Sequence, residues 1–257
     1  MKEIHHKLGQ FVILCCLFIV LGQWSTKVRA DSFKCPAIKG AVPTLATLDA
    51  EKRLQAIRQA MDPASRRALA WALGWGIGYG VLTVGQFAPI PWIEDDGLRA
   101  DFYVGGGASA LGVLFIAVAP PNVIRDKKRL DEKLAARSKQ SDPCILLAET
   151  ERAVLDAAKF EQLGTSWIVH GANLLLNVGA GLILGLAFDR WDSAFLTTSA
   201  GTLIGEIMIW TQPMDMTKFL ERYRRGSLGG SREKSATLNV GPLIRHNSLG
   251  LAAALRF

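Results

Sequence analysis

The sequence predicts an all-α membrane protein: two tandem glycine-rich transmembrane helical hairpins forming a four-helix bundle, flanked by amphipathic helices and closed by a short β-hairpin-like tail. Three observations carry this reading. Four apolar blocks of about twenty residues match a hydrocarbon core of about 30 Å at 1.5 Å rise per residue. They fall in two pairs, ALAWALGWGIGYGVLTVGQF with FYVGGGASALGVLFIAVAPP and WIVHGANLLLNVGAGLILGLAF with AFLTTSAGTLIGEIMIWTQP, each joined by a short acidic tip. Tryptophans mark the ends: Trp71, Trp167 and Trp210 at the bases, Trp92 and Trp191 at the tips, where an amphipathic indole prefers to rest.

Residues 1–30 precede the first block and read as a secretory signal peptide. MKEIHHK is a mildly basic start, FVILCCLFIVLG a short apolar run, and Val28-Arg29-Ala30 a small-x-small ending. An uncleaved anchor is the alternative. Cys15 and Cys16 lie inside the run without the small residues of a lipoprotein signal. The formal net charge of +7 falls to +4 once Lys2, Lys7, Lys27, Arg29 and Glu3 are removed, so no nucleic-acid partner is expected.

The segment 31–67 is expected as a periplasmic amphipathic helix, and 68–121 as the first transmembrane hairpin. A charged amphipathic connection over 122–165 leads into the second hairpin, 166–213. A basic helix, a linker and the β tail fill 214–257. Cys35 and Cys144, each beside a proline and each ahead of a hairpin, form a candidate disulfide in an oxidising compartment; two independent thiols are the alternative.

The two hairpins read as an internal repeat. Setting Pro120 against Pro213 brings Gly112 onto Gly205, Leu111 onto Ile204 and Ile116 onto Ile209. Each copy ends in a charged run, so the unit is a hairpin plus a basic helix, and both copies take one orientation. Gly74 with Gly78, Gly76 with Gly80, Gly181 with Gly185 and Gly201 with Gly205 are each four apart and are expected to let helix backbones approach closely.

Within the spans, His170, Asn173 and Asn177 form one stripe on the third helix, and Glu206 lies in the fourth. Counting from the tip puts Asn177 and Glu206 at similar depth, where they are expected to hydrogen-bond. The stripe reads either as a polar site lining a path or as glue between helices. The first copy offers Val113 opposite Glu206, so a symmetric transport pathway is disfavoured.

Charge placement is in tension with export. Residues 122–140 hold seven Lys/Arg against three acids and 218–234 hold six against two, so the positive-inside rule puts these bases in the cytoplasm. A cleaved signal delivers them to the periplasm instead. Insertion into the outer membrane from the periplasmic side is one resolution, and the ending bears on it. TLNVGPLI and LGLAAALRF flank RHNS, with Leu249, Leu251, Ala253, Leu255 and Phe257 alternating on one face. That ending resembles, over about ten residues, the closing strand of bacterial outer-membrane β-barrel proteins; the remaining chain lacks a barrel's eight or more strands.

No catalytic, cofactor-binding or metal set is read: HExxH, GxSxG, CxxC and GxxxxGK[ST] are absent, and no GxGxxG follows a predicted strand. The sequence therefore points to a membrane protein of the bacterial cell envelope, inner membrane favoured over outer. Its expected role is structural or partner-binding and not enzymatic, with membrane lipid, a second copy or an envelope protein as partner. The alternative is a small transporter or channel component.

Overall fold

The computed structural model describes residues 33–137 and 142–228, together with the backbone of 237–245 and 248–256. The expected signal peptide lies outside the described residues. Among the described residues seven α-helices follow one another: α1 (Ala50–Phe87), α2 (Asp96–Val118), α3 (Asn122–Ala136), α4 (Pro143–Gly164), α5 (Trp167–Phe188), α6 (Trp191–Trp210) and α7 (Asp215–Arg224). Beyond them, β1 (Thr237–Arg245) and β2 (Ser248–Arg256) pair antiparallel, with Thr237 opposite Arg256. The side chains of that tail, including the alternating apolar row, lie outside the described residues.

The core sits at one end, among the first half of α1, α3, α4 and α7. Asp49 starts α1 by accepting from the backbone N–H of Glu51 and Lys52 at 3.0 and 3.2 Å. Leu54, Ile57, Met61, Ala64 and Ala68 then recur at alternating steps of three and four, so one stripe of α1 is buried. It meets Leu147, Val154 and Ala158 of α4, Val123 and Leu130 of α3, and Met216, Phe219, Leu220 and Tyr223 of α7. Burying each large member contributes about 1.5–3 kcal/mol. The structure bridges Cys35 and Cys144, whose Cα atoms lie 5.4 Å apart across 109 residues of sequence. Closing so long a loop restricts the unfolded chain by about 4–5 kcal/mol in the chain-entropy picture.

The division expected between 67 and 68 falls inside α1, which runs unbroken for 38 residues past Pro63. In the second half of the chain the equivalent junction does break. Gly164 ends α4, and Thr165 and Ser166 separate it from α5.

Beyond the core, α1 pairs with α2 and α5 with α6. Tyr79 lies over Gly112, Gln86 bonds Ser109 and Gly76 faces Ile116, a falling register that makes the first pair antiparallel. The second pair is antiparallel by the same test, with His170 on Glu206, Asn173 over Gly205 and Asn177 over Gly201. Asp189 ends α5 in the left-handed region at φ 53°, so only Asp189 and Arg190 separate α5 from α6. An aspartate tolerates that conformation better than most residues.

Among the described residues, three helical stretches are long and apolar enough to cross a membrane: Ala50–Trp92, Asp96–Ala136 and Trp167–Phe188. Four were expected. The fourth, α6, is not among them, as Thr197, Thr198, Ser199, Thr202 and Glu206 dilute its apolar residues.

Candidate functional site

The four residues singled out inside the helices do come together, though in a different pairing from the one expected. Glu206 of α6 is held by His170 Nδ1 at 2.6 Å on one carboxylate oxygen and by the Asn173 amide at 3.0 Å on the other. Asn173 also donates to the Thr202 carbonyl at 3.0 Å. Asn177 does not reach Glu206. Its amide donates back to the carbonyl and side-chain oxygen of Asn173 at 2.8 and 3.0 Å, and its own carbonyl accepts from Thr198 Oγ1 at 3.1 Å. Depth counted from the tip treats the helices as parallel rods with one zero. The two-residue turn lets α6 start beside the end of α5, which moves the match one turn, to Asn173.

Glycines make room for this ladder. A Cβ at Gly205 would lie 2.0 Å from Asn173 Oδ1, and one at Gly201 would lie 2.0 Å from Asn177 Oδ1. Gly181 and Gly185 likewise sit under Thr198 and Trp191. The same role does not extend to α1. Gly74, Gly78 and Gly80 have nothing within 4 Å of an added Cβ, and Gly76 has only Ile116 at 3.9 Å. In the first pair the notches lie on α2, where Gly105, Gly106 and Gly112 receive Gln86, Phe87 and Tyr79. Spacing of four identified which glycines share a face, but on α1 no side chain packs into those positions, Ile116 at Gly76 being in ordinary contact only.

The helix pairs meet along α2 and α5. Their tips are clasped by Arg190, which donates to both oxygens of Asp101 at 3.1 and 2.5 Å, while Ser193 adds a hydrogen bond to Asp101 at 2.9 Å. In the sequence Asp101 and Arg190 stand out only as charges at the two tips. At the opposite end the indole N–H groups of Trp71 and Trp75 both donate to Thr211 Oγ1, at 3.3 and 3.1 Å. Between these ties lies a cavity of about 600 Å³ walled by α1, α2, α5 and α6. Leu82, Leu111, Phe115, Leu176, Ile204 and Met208 dominate its walls, and Asn173 and Asn177 reach its edge.

A second polar cluster, in the core, has no signal in the sequence. Arg53 is fully buried. Its guanidinium donates to Tyr223 Oη at 3.1 Å, to the carbonyls of Cys35 and Pro36 at 2.9 and 3.0 Å, and to Glu151, which also accepts from the Tyr223 hydroxyl. Burial pushes the Tyr223 hydroxyl well above its ordinary pKa. Glu161 of α4 caps α7 from a distance, accepting from the N–H groups of Met216 and Thr217 at 3.0 and 2.8 Å. Burial raises its pKa, and those two backbone hydrogen bonds oppose the rise. The residues around the bridge thus form a stapled unit. Among the described residues, no group of three or more His, Cys, Asp or Glu is placed to hold a metal ion.

Comparison with protein-family models, curated proteins and solved structures returned no match.

Proposed function

We propose that this chain is an integral membrane protein of the bacterial cell envelope with a structural or partner-binding role. Its two helix pairs cross the bilayer as hairpins, and the stapled core stands outside it. The observation that carries this reading is the reversal of burial along the chain. Around the core, most charged side chains face outward, and the interior is largely apolar apart from Glu161 and the cluster of Arg53, Glu151 and Tyr223. Along the helix pairs it is apolar side chains that face outward: Ile77, Val81, Val84, Leu175, Leu186, Phe195 and Leu203 are exposed, and Leu175 is 73 % exposed. An apolar surface this extensive marks contact with lipid or protein.

The bridged Cys35 and Cys144 favour a periplasmic core, because such a bond persists in an oxidising compartment. In this reading the opposing charge rule is overridden by the exported start. The inner membrane remains the favoured location over the outer.

The transporter or channel alternative needs a polar path. The amides of Asn173 and Asn177 are instead spent within the second pair, and the cavity beside them is walled by hydrocarbon. An interhelical role of about 0.6 kcal/mol per contact accounts for them. Carbonate extraction of membranes tests the reading: the protein is expected to stay in the pellet, and its release as a soluble monomer would refute membrane residence. Glu206→Gln is expected to leave abundance and phenotype near wild type; abolition of a proton-linked flux would favour the transporter instead.

A further inference from the structure

We propose that the cavity between the helix pairs holds one acyl chain of a membrane phospholipid, admitted sideways between α1 and α6. This rests on the membrane reading above and names the ligand of its central cavity.

Three walls are closed. α1 packs on α2, α2 on α5, and α5 on α6. The fourth is not, because α1 and α6 share no extended contact; among the described residues the hydrogen bonds between them are those of Trp71 and Trp75 to Thr211, at one end. In a bilayer that gap faces lipid. Its flanks are Tyr79, Leu82 and Gln86 on one side and Leu196, Ile204 and Met208 on the other.

Dimensions select the occupant. On α2 the lining runs from Asp101 to Phe115, which is about 21 Å at 1.5 Å per residue. Spread over that length, about 600 Å³ gives a mean cross-section of about 29 Å². A helix about 10 Å across does not fit such a slot, which removes a partner helix or a second copy. A string of methylenes does.

Chemistry selects in the same direction. Most polar groups at the edge already have partners: the Asn173 and Asn177 amides as described, Gln86 Nε2 on Ser109 at 3.1 Å, and Asp101 on Arg190 and Ser193, which leaves the hydroxyls of Tyr79 and Thr197 in an otherwise apolar lining. A hydrophilic solute would forfeit its water for a wall with few free donors. An acyl chain loses nothing there, and the Asp101–Arg190 rim at the tip end leaves its headgroup in polar surroundings.

Native mass spectrometry of the full-length protein, extracted in mild detergent from vesicles of phosphatidylethanolamine and phosphatidylglycerol, tests this. One phospholipid per chain is expected to be retained. Ala108 and Ala200 both line the cavity. The double variant Ala108→Leu/Ala200→Leu fills it and is expected to reduce retention at least tenfold, whereas Leu175→Ala on the outward face leaves retention unchanged. Should the filled variant fail to fold, a phosphatidylcholine carrying a diazirine in its tail keeps the question open to refutation. Photolysis with the wild-type protein should mark the lining residues of α2, α5 and α6 above the outward faces. Uniform marking, undiminished retention in a folded filled variant, or retention of free fatty acid alone would each overturn the proposal. Absence of lipid from a protein that stays in the carbonate pellet defeats this inference only; release from the pellet defeats the membrane reading beneath it.

Discussion

The two helix pairs share an outline and differ in what joins their members. In α5 and α6 the contact is polar: Glu206, His170, Asn173, Asn177 and Thr198 bond across the seam, and α6 supplies glycines at 201 and 205 for the asparagines to enter. In α1 and α2 the contact is steric. Tyr79, Gln86 and Phe87 press onto Gly112, Gly105 and Gly106, and Gln86 to Ser109 is the one interhelical hydrogen bond between them among the described residues. Gly112 and Gly205, aligned by the sequence repeat, both receive a side chain from the preceding helix, an aromatic ring in one pair and an amide in the other. Where water provides no hydrophobic force between helices, close packing and hydrogen bonding are the two remaining sources of association. Each pair leans on a different one.

The largest expected effect separates glycines that serve as notches from those that do not. Gly205→Val places carbon where Asn173 Oδ1 sits and should destabilise the protein by about 1–3 kcal/mol, with more lost if the ladder is expelled. Gly78→Ala in α1 meets nothing and should be neutral or raise the melting temperature. Thermal unfolding in detergent measures both, and equal effects would erase the distinction between the pairs.

Next is the ladder itself. Glu206→Ala removes the partner of both His170 and Asn173 and should cost about 1–2 kcal/mol, at about 0.6 kcal/mol per bond and with an amide left short of an acceptor. Gln86→Leu in the first pair removes one bond and keeps the volume, so its cost should stay below about 1 kcal/mol. Arg190→Ala opens the clasp between the pairs; because the pair is reached by solvent, only a small loss of stability is expected. Its signature should be faster labelling of cavity-lining cysteines, with little change in melting.

The smallest effect belongs to the stapled core and serves as a reference outside both pairs. Glu161 has a raised pKa in the fold, so the native state holds its proton at pH values where the unfolded chain has lost it. Stability from this group is therefore present below its ordinary value of 4.5 and declines as pH rises through the raised one. Melting curves of wild type and Glu161→Gln, compared across this range, should converge on the acid side. A difference that grows toward acid would contradict the burial argument.

Much of the architecture was legible, and the reasons are particular. Apolar blocks of span length, acidic tips and terminal tryptophans gave the helix pairs, because length and hydropathy are properties of contiguous sequence. The stripe of His170, Asn173 and Asn177 was visible from helical spacing. Its partner register was not, since that depends on the left-handed Asp189 and the tightness of the turn it makes. The glycines of α1 misled because spacing says which residues share a face and nothing about what that face meets. Arg53, Glu151 and Tyr223 lie far apart in sequence, each in an ordinary charged helix, and only packing brings them together. The expected division between 67 and 68 falls within α1, which continues across it without interruption.

The proposed topology has both helix pairs crossing lipid, with the tips on one side and the stapled core on the other. The direct measurement is labelling of single cysteines by a membrane-impermeant reagent in oriented vesicles. Asp95→Cys and Asp192→Cys report the tips and Ser227→Cys the core, in a background with Cys15 and Cys16 replaced by Ala and the Cys35–Cys144 bridge kept. Both tips should react from the same face, and Ser227→Cys only from the opposite one. Reaction of tips and core from a single face would contradict the account.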